Sequence, residues 1–424
     1  MRFETLADWL AWQETLHPQA IDLGLSRVSS VLERMALAKP MPLTLSVGGT
    51  NGKGSCVAML ERILREAGYR VGAYTSPHLL RYNERISVDG QPVDDARIMQ
   101  AFHRIETARQ DTSLSFFEFG TLAALDIFNA ASLDIQILEV GLGGRLDAVN
   151  SVDADIALIA SIDIDHQEWL GHTREAIGQE KAGIFRTGRP AVIADPEVPA
   201  SVIRLAREQA VPLYRQGQAF GFRRTTDGWD WWNEDTRFDA LPLPAIPGEH
   251  QLMNAAAVLQ CLHLLPAACA VDETAIRRGL ERVHLAGRFQ WFAGDIPVLV
   301  DVAHNPQSVR ILAEHLRRFH AGRRIQAVFA VMRDKDIPGM LQPICDVIDN
   351  WYLAPLHMPR AATPDELSGI LQAAGASRVQ RGFASVSAAC QAARVGAQPG
   401  DLMLVFGSFF LVSDFLAQTA GQGG

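Results

Sequence analysis

The segment Gly49-Thr50-Asn51-Gly52-Lys53-Gly54-Ser55 has the residue types of a phosphate-binding loop. Glycines let a backbone curl until its N–H groups converge on phosphate oxygens. A lysine neutralises the terminal phosphates, and the first turn of a following helix adds partial positive charge. The common spacing G-x-x-x-x-G-K-[ST] is broken twice, because Val47 stands where the first glycine belongs and Gly54 where the hydroxyl belongs, with Ser55 one step later. A Gly-rich turn with a solvated lysine is the bland alternative. Against it stand the apolar run Leu43–Val47 before the loop and the helical spacing of Val57, Leu60, Ile63 and Leu64 after it. The loop therefore offers Gly52, Lys53, Gly54 and Ser55 to the phosphates of a nucleotide.

Four further polar segments follow in order. Thr75-Ser76-Pro77-His78 comes after the strand-like Val71–Tyr74, Glu139 to Asp147 ends the run that begins at Ile135, and Asp165-His166 follows Ile156–Ile162. Glu180-Lys181-Ala182-Gly183-Ile184 then lies on a helix-like stretch. Ligands of open α/β sheets bind at the carboxyl ends of strands, which is where the polar residues of the first three segments fall. Taken singly, Glu139 reads as a capping or surface carboxylate, His166 as a hydrogen-bonded loop histidine and Lys181 as a surface lysine. In Ser115 to Leu122, Phe117 and Phe119 flank Glu118 ahead of Gly120. Aromatic walls with one directed polar group suit a flat, partly apolar ring. The same phenylalanines also read as core at a helix start.

The elements that must position these residues alternate between short apolar strands and amphipathic helices. Ile135–Val140, Ile156–Ile162 and Ala191–Ile193 suit buried parallel strands. Asp227-Gly228 with Trp229, Trp231 and Trp232 reads as an edge hairpin. After a helical stretch ending near Val283, a new β-α alternation begins. Val298–Val302, Ile325–Val331, Trp351–Ala354 and Leu402–Phe406 read as its strands, with helices at Gln307–Phe319 and Pro364–Ala374. The fold class expected is α/β: a nucleotide-binding domain over 1–286, a linker over 287–296, and a smaller Rossmann-like domain over 297–424.

Composition narrows the function classes. Of 424 residues, 48% are hydrophobic and 21% charged, which is ordinary for globular chains. A net charge of -9 disfavours a general nucleic-acid surface and requires any anion site to carry its own positive charge. Five cysteines without a CxxC pair read as reduced thiols of a cytoplasmic protein. The start Met1-Arg2-Phe3-Glu4 shows no signal-peptide pattern. The apolar run Leu402–Val412, broken at Gly407-Ser408, is shorter than the roughly 20 residues a membrane helix needs.

The shortened loop resembles that of the Mur-ligase superfamily, and its Gly-Lys-Gly-Ser ending is similar to the folate branch. The likeness extends over nearly the whole chain. Leu16-His17-Pro18 with Ile21 to Val28 resembles the family's N-terminal signature, and Arg81 to Ile86 a loop near the phosphates. Asp301-Val302-Ala303-His304-Asn305-Pro306 resembles an Asp-Gly-Ala-His-Asn-Pro motif, with Val302 in place of glycine. This resemblance implies a P-loop domain like the central domain of Mur ligases, followed by a smaller glutamate-ligase domain. It implies Ser76, Glu139 and His166 as ligands of Mg²⁺, and a carboxylated Lys181 holding a second ion. Asn254, Arg288 and Asp301 would meet ATP, with Arg288 acting on domain closure. His304 would lie near the incoming glutamate, Gly407-Ser408 near the same place, and Leu146, Asp147 and Ala148 would join Phe117, Glu118, Phe119 and Gly120 beside the pterin. The catalytic set so implied is Lys53, Lys181 and His304.

The implied reaction is ATP-dependent ligation of L-glutamate to dihydropteroate and to the glutamate tail of reduced folates, through an acyl phosphate, by a cytoplasmic monomer with small-molecule partners. Three rivals stand beside it: an enzyme that only extends folate polyglutamates, a peptidoglycan Mur ligase, and a non-catalytic ATP-binding protein. With the phosphate loop beginning near residue 49, a nucleotide-sugar domain is not expected before it. Retention of Lys53 and the metal-type residues weighs against the non-catalytic rival.

Overall fold

The structure is a computed structural model that describes residues 2–19, 21–37, 41–376 and 378–420. Met1 and residues 421–424, the outer ends of the two expected domains, lie outside the described residues. The chain divides into two compact units, Met1–Ala245 with Gln251–His284, and Ile246–His250 with Leu285–Gly424.

The larger unit is built on an eight-stranded sheet. Its strands are β1 (Leu43–Gly48), β2 (Val71–Tyr74), β3 (Ile86–Val88), β4 (Gln91–Pro92), β5 (Ile135–Glu139), β6 (Ile156–Ile159), β7 (Ala191–Ile193) and β8 (Leu213–Arg215). Their order is β4-β3-β2-β5-β1-β6-β7-β8. From β2 to β8 every pairing is parallel. Such strands are covered on both faces, which is why they read as unbroken apolar runs rather than alternating ones. β1 and β5 are almost wholly buried. The helix Lys53–Glu66 covers them with Cys56, Val57, Met59, Leu60, Ile63 and Leu64. Burying a side chain of the Leu or Ile class stabilises by about 1.5–3 kcal/mol, so this face anchors the phosphate loop firmly.

The expected Trp hairpin is not an edge of this sheet. It is the centre of a separate antiparallel sheet, with β9 (Phe220–Arg224), β10 (Trp229–Asn233) and β11 (Arg237–Leu241) in the order β11-β10-β9. Trp229 and Trp231, two residues apart, share one face and are fully buried. Both indole N–H groups find carbonyls, Pro242 O at 2.9 Å and Ala256 O at 3.0 Å. Burial therefore leaves no polar atom of these rings unpaired.

The smaller unit carries a six-stranded sheet in the order β12-β13-β17-β14-β15-β16. The strands are β12 (Gln290–Phe292), β13 (Val298–Asp301), β14 (Ile325–Phe329), β15 (Asn350–Leu353), β16 (Val379–Gln380) and β17 (Leu402–Phe406). β12 is antiparallel to β13, so residues expected in a linker are part of the sheet. The helix Pro306–Phe319 starts at a capping box on Asn305 with proline in the first turn. Among the described residues, no helix is long and apolar enough to cross a membrane.

Candidate active site

Four neighbouring strands of the large sheet, β2-β5-β1-β6, end side by side. Their carboxyl ends lead into Ser76, into Glu139 and Val140, into the Lys53 loop and into Ser161–His166. Residues scattered over more than ninety positions of sequence are thereby brought to one edge.

The loop is fastened to the segment after β6. Thr50 N–H donates to Ser161 O at 2.7 Å, Asn51 N–H to Ser161 Oγ at 2.9 Å, and the Thr50 hydroxyl to Asp163 O at 2.9 Å. Gly52 has φ +86°, and a Cβ there would sit 2.8 Å from Asn254 Oδ1, so both conformation and space require glycine. Lys53 Nζ donates to the carbonyls of Gly49 and Thr50 at 3.1 and 3.2 Å. Asn254 is buried; its Nδ2 donates to Gln251 Oε1, whose Nε2 donates to the Ser55 hydroxyl.

Ser76 and Glu139 meet directly, the Ser76 N–H donating to Glu139 Oε2 at 3.3 Å. His166 is oriented by its neighbour: Asp165 Oδ1 accepts the His166 N–H at 2.8 Å, and Asp165 Oδ2 lies 3.9 Å from His166 Nε2. His166 adopts φ +52°, a left-handed conformation uncommon outside glycine but more accessible to histidine than to branched residues. No group of three His, Cys, Asp or Glu side chains forms a metal cage among the described residues. A carboxylate, a hydroxyl and one imidazole are nevertheless a mainly oxygen donor set. It fits a hard cation that keeps several waters, such as Mg²⁺ or Mn²⁺, and not a soft one.

Lys181 is not on the surface. It is 3% exposed, and burial, with the Lys53 charge next, lowers its pKa to about 7, while Asp165 and Asp147 pull the other way. The segment carrying it interlocks with Glu139–Asp147. Arg145 N–H donates to Glu180 O at 2.8 Å, and the Arg145 guanidinium to Glu180 Oε1 at 2.9 and 3.1 Å. A Cβ on Gly144 would lie 2.8 Å from Glu180 O, and one on Gly183 would lie 2.3 Å from Arg145 Cβ. These two glycines let the backbones touch, which places Lys181 beside Asp147. Asp147 accepts from Leu142 N–H at 2.8 Å and Val149 N–H at 3.0 Å. Burial outweighs those bonds and pushes its carboxyl up to about 6.

The aromatic segment divides into two roles. Phe117 is partly buried, with its ring against Gly141 and 5.8 Å from that of Tyr74, so it is available as a wall. Phe119 is fully buried between Trp12 and Phe102, at ring distances of 5.9 and 5.3 Å. It is core and offers no face to a ligand, which corrects its expected place in the substrate set. Glu118 is likewise spent on structure. It closes a capping box with Ser115 and pairs with Arg27 at 3.1 Å. Arg27 also donates to Asp22 Oδ2 at 2.6 Å, and Asp22 lies 3.0 Å from His17 Nε2. Gly120 faces the hydroxyls of Tyr82 and Tyr74. Ala148 is buried, and Leu146 accepts the Gly24 N–H at 3.2 Å.

In the smaller unit Asp301, His304 and Arg288 gather at the carboxyl ends of β13 and β17. Asp301 accepts from Phe289 N–H at 2.9 Å and Ala303 N–H at 2.8 Å, and burial raises its pKa against the opposing pull of Arg288. His304 Nδ1 lies 2.9 Å from Val302 O, which places the proton on Nδ1 and leaves Nε2 the basic nitrogen. The Arg288 guanidinium sits 5.1 Å from the Phe409 ring, and the His304 ring 5.6 Å from it. Gly407, with φ +120°, and the buried Ser408 form the turn after β17. Sequence reasoning passed over Ser161 and Gln251. Their signals were faint: a serine within the apolar run Ile156–Ile162, and a glutamine one helical turn before Asn254.

Residues 47–262 match the Mur ligase middle domain, and residues 287–409 match the Mur ligase glutamate ligase domain. The dihydrofolate synthase/folylpolyglutamate synthase of Escherichia coli K12 is 44% identical over 408 residues, covering 96% of this chain and 94% of that protein. A solved structure described as E. coli FolC in complex with DHPP and ADP superposes with a TM-score of 0.94 at 43% identity, covering 99% of each chain. The bifunctional folylpolyglutamate synthase/dihydrofolate synthase of Yersinia pestis, complexed with AMPPNP and Mn ion, gives 0.90 at 44% identity and 98% of each chain. With its phosphate loop, strand-end polar residues and both Mur ligase domains in order, the chain belongs to the dihydrofolate synthase/folylpolyglutamate synthase family of the Mur ligases.

Proposed function

We propose that the protein joins L-glutamate to 7,8-dihydropteroate, giving dihydrofolate, and to the glutamate tail of reduced folates, at the expense of ATP. The observation that carries this is the convergence of the Lys53 loop, Ser76, Glu139 and His166 at the ends of four neighbouring strands. The ligands and activities named for the relatives point the same way, toward folates rather than peptidoglycan precursors.

A carboxylate is a poor acyl donor, so its oxygen first attacks the γ-phosphorus of ATP. An acyl phosphate forms and ADP leaves. Two unit anions 4 Å apart repel by about 4 kcal/mol at an effective dielectric of 20, so the site must supply positive charge. Lys53 supplies one, with loop N–H groups and the helix N-terminus beside it, and Arg288 is the counterpart in the glutamate-ligase unit. Ser76, Glu139 and His166 would hold Mg²⁺, which when bound neutralises phosphate charge. The glutamate amine, as its free base, then attacks the acyl carbon, phosphate leaves, and the nitrogen sheds its extra proton as the amide forms. His304 Nε2 is suited to accept that proton. Asn254 and Asp301 hold the nucleotide, and Phe117 with Asp147, Leu146 and Ala148 holds the pterin. The protein otherwise orients reactants and excludes water.

Lys181 has the chemistry its proposed carboxylation needs. Burial lowers its pKa to about 7, which brings the free amine within reach at neutral pH. That lone pair can bond to CO₂ and release a proton, turning a buried cation into an anion suited to a second Mg²⁺. We further assign the protein to the cytoplasm as a monomer.

The test is dihydropteroate carrying ¹⁸O in its carboxylate, incubated with ATP, Mg²⁺ and L-glutamate. The expected phosphate contains one ¹⁸O per amide formed. Unlabelled phosphate alongside product rejects the acyl phosphate, and absence of product rejects the ligation itself.

A further inference from the structure

The helix His250–His263 turns one buried face toward the phosphate loop. Gln251 and Asn254, one turn apart, are 1% and 2% exposed, and Ser55 is 2% exposed. Asn254 Nδ2 donates to Gln251 Oε1 at 3.0 Å, and Gln251 Nε2 donates to Ser55 Oγ at 3.2 Å. The bonds run in one direction. A serine hydroxyl donates once and accepts twice, so accepting from Gln251 leaves its own proton and one lone pair for a further group. The same Asn254 carboxamide covers Gly52, whose missing Cβ would lie 2.8 Å from Oδ1. Gln251 thus couples the residue over Gly52 to the hydroxyl at Ser55.

We propose that Gln251 is a positioning residue for nucleotide binding, one that fixes the hydrogen-bond direction and rotamer of Ser55 before the phosphates arrive. The inference rests on the nucleotide site proposed above. Buried amide chains of this kind polarise one another, and a hydroxyl already held in its bound geometry loses less freedom on binding. Gln251 touches no phosphate in this account. It acts through Ser55, so its loss shows in nucleotide affinity and not in affinity for glutamate.

The test is ADP binding, with and without Mg²⁺, by titration calorimetry on the full chain. Wild type is compared with Gln251→Met, Gln251→Leu, Ser55→Ala and the Ser55→Ala/Gln251→Met double variant, each checked for folding by thermal unfolding. Gln251→Met is expected to weaken ADP about tenfold, which is about 1.4 kcal/mol. In the Ser55→Ala background the same change should add less than about twofold, because the path through Ser55 is already gone. KM for glutamate should stay within about twofold of wild type. Gln251→Leu removes the same donor to Ser55 with a different apolar shape. It is expected to fail as Met does, and it serves alone if the Met variant does not fold. Wild-type ADP binding by a folded Gln251→Met or Gln251→Leu overturns the inference, as does a full tenfold loss in the Ser55→Ala background. If wild type itself binds no ADP, the nucleotide reading falls together with this one.

Discussion

Replacing Lys181 with methionine should stabilise the protein at neutral pH while abolishing ligation. The amine is buried, and burial lowers its pKa from 10.5 to about 7. At about 1.36 kcal/mol per pKa unit, the difference corresponds to about 5 kcal/mol. Its sign follows from proton binding. Between pH 7 and 10.5 the unfolded chain holds a proton that the folded chain lacks, so stability rises with pH across that window. The penalty is complete below about pH 7 and absent above about 10.5. Methionine matches the length of the stem and carries no charge, so its packing cost should stay below about 1.5 kcal/mol. Lys181→Met is therefore expected to exceed wild type by up to about 5 kcal/mol at pH 7, with the advantage shrinking toward zero near pH 10. Urea unfolding in CO₂-free buffer at pH 7, 8.5 and 10 measures it. A variant less stable than wild type at pH 7, or a difference that does not change with pH, refutes the reasoning.

Glu139→Gln keeps the Ser76 contact but removes the anionic oxygen. It should leave the thermal midpoint nearly unchanged and cut ligation at least a hundredfold, with nucleotide affinity no longer responding to Mn²⁺ in calorimetry. Phe119→Ala should cost about 3–5 kcal/mol in urea unfolding as a core truncation, whereas Phe117→Ala should cost under about 2 kcal/mol and instead raise KM for pterin substrates. Arg27→Ala strands Glu118, which is 4% exposed, and should cost about 3 kcal/mol, the low end for a broken buried pair because Arg27 is itself 22% exposed. A denaturation midpoint within error of wild type would show that this pair contributes nothing.

Much of the architecture was legible because parallel strands write themselves locally. Leu402–Phe406 reads as one unbroken apolar run and is strand β17 over the same residues. The glycines of the phosphate loop, and the polar residues ending β2, β5 and β6, are likewise visible where they stand. Short strands are not: β12 has three residues and β16 two, too few for any period. Side-chain partnerships distant in sequence are equally silent. Nothing local joins Gln251 to Ser55, 196 positions away, and Arg27 carries no mark of its pairing with Glu118. Phe117 and Phe119 look alike in sequence. Helix geometry decides between them, because residues two apart face different ways and only one of these rings turns into the Trp12–Phe102 core. Lys181 looked like a surface lysine because the close approach that buries it depends on Gly144 and Gly183, 39 residues apart.

The most direct test of the account is glutamate-dependent phosphate release from ATP by the purified protein with Mg²⁺. Dihydropteroate, a reduced folate monoglutamate and a UDP-muramyl acceptor are compared side by side. The account predicts release with both pterin substrates, each matched by one new amide in the product mass, and none with the muramyl acceptor. Release with the reduced folate alone would remove the dihydrofolate synthase activity. Release only with the muramyl acceptor, or with none of the three, would contradict the assignment to folate ligation.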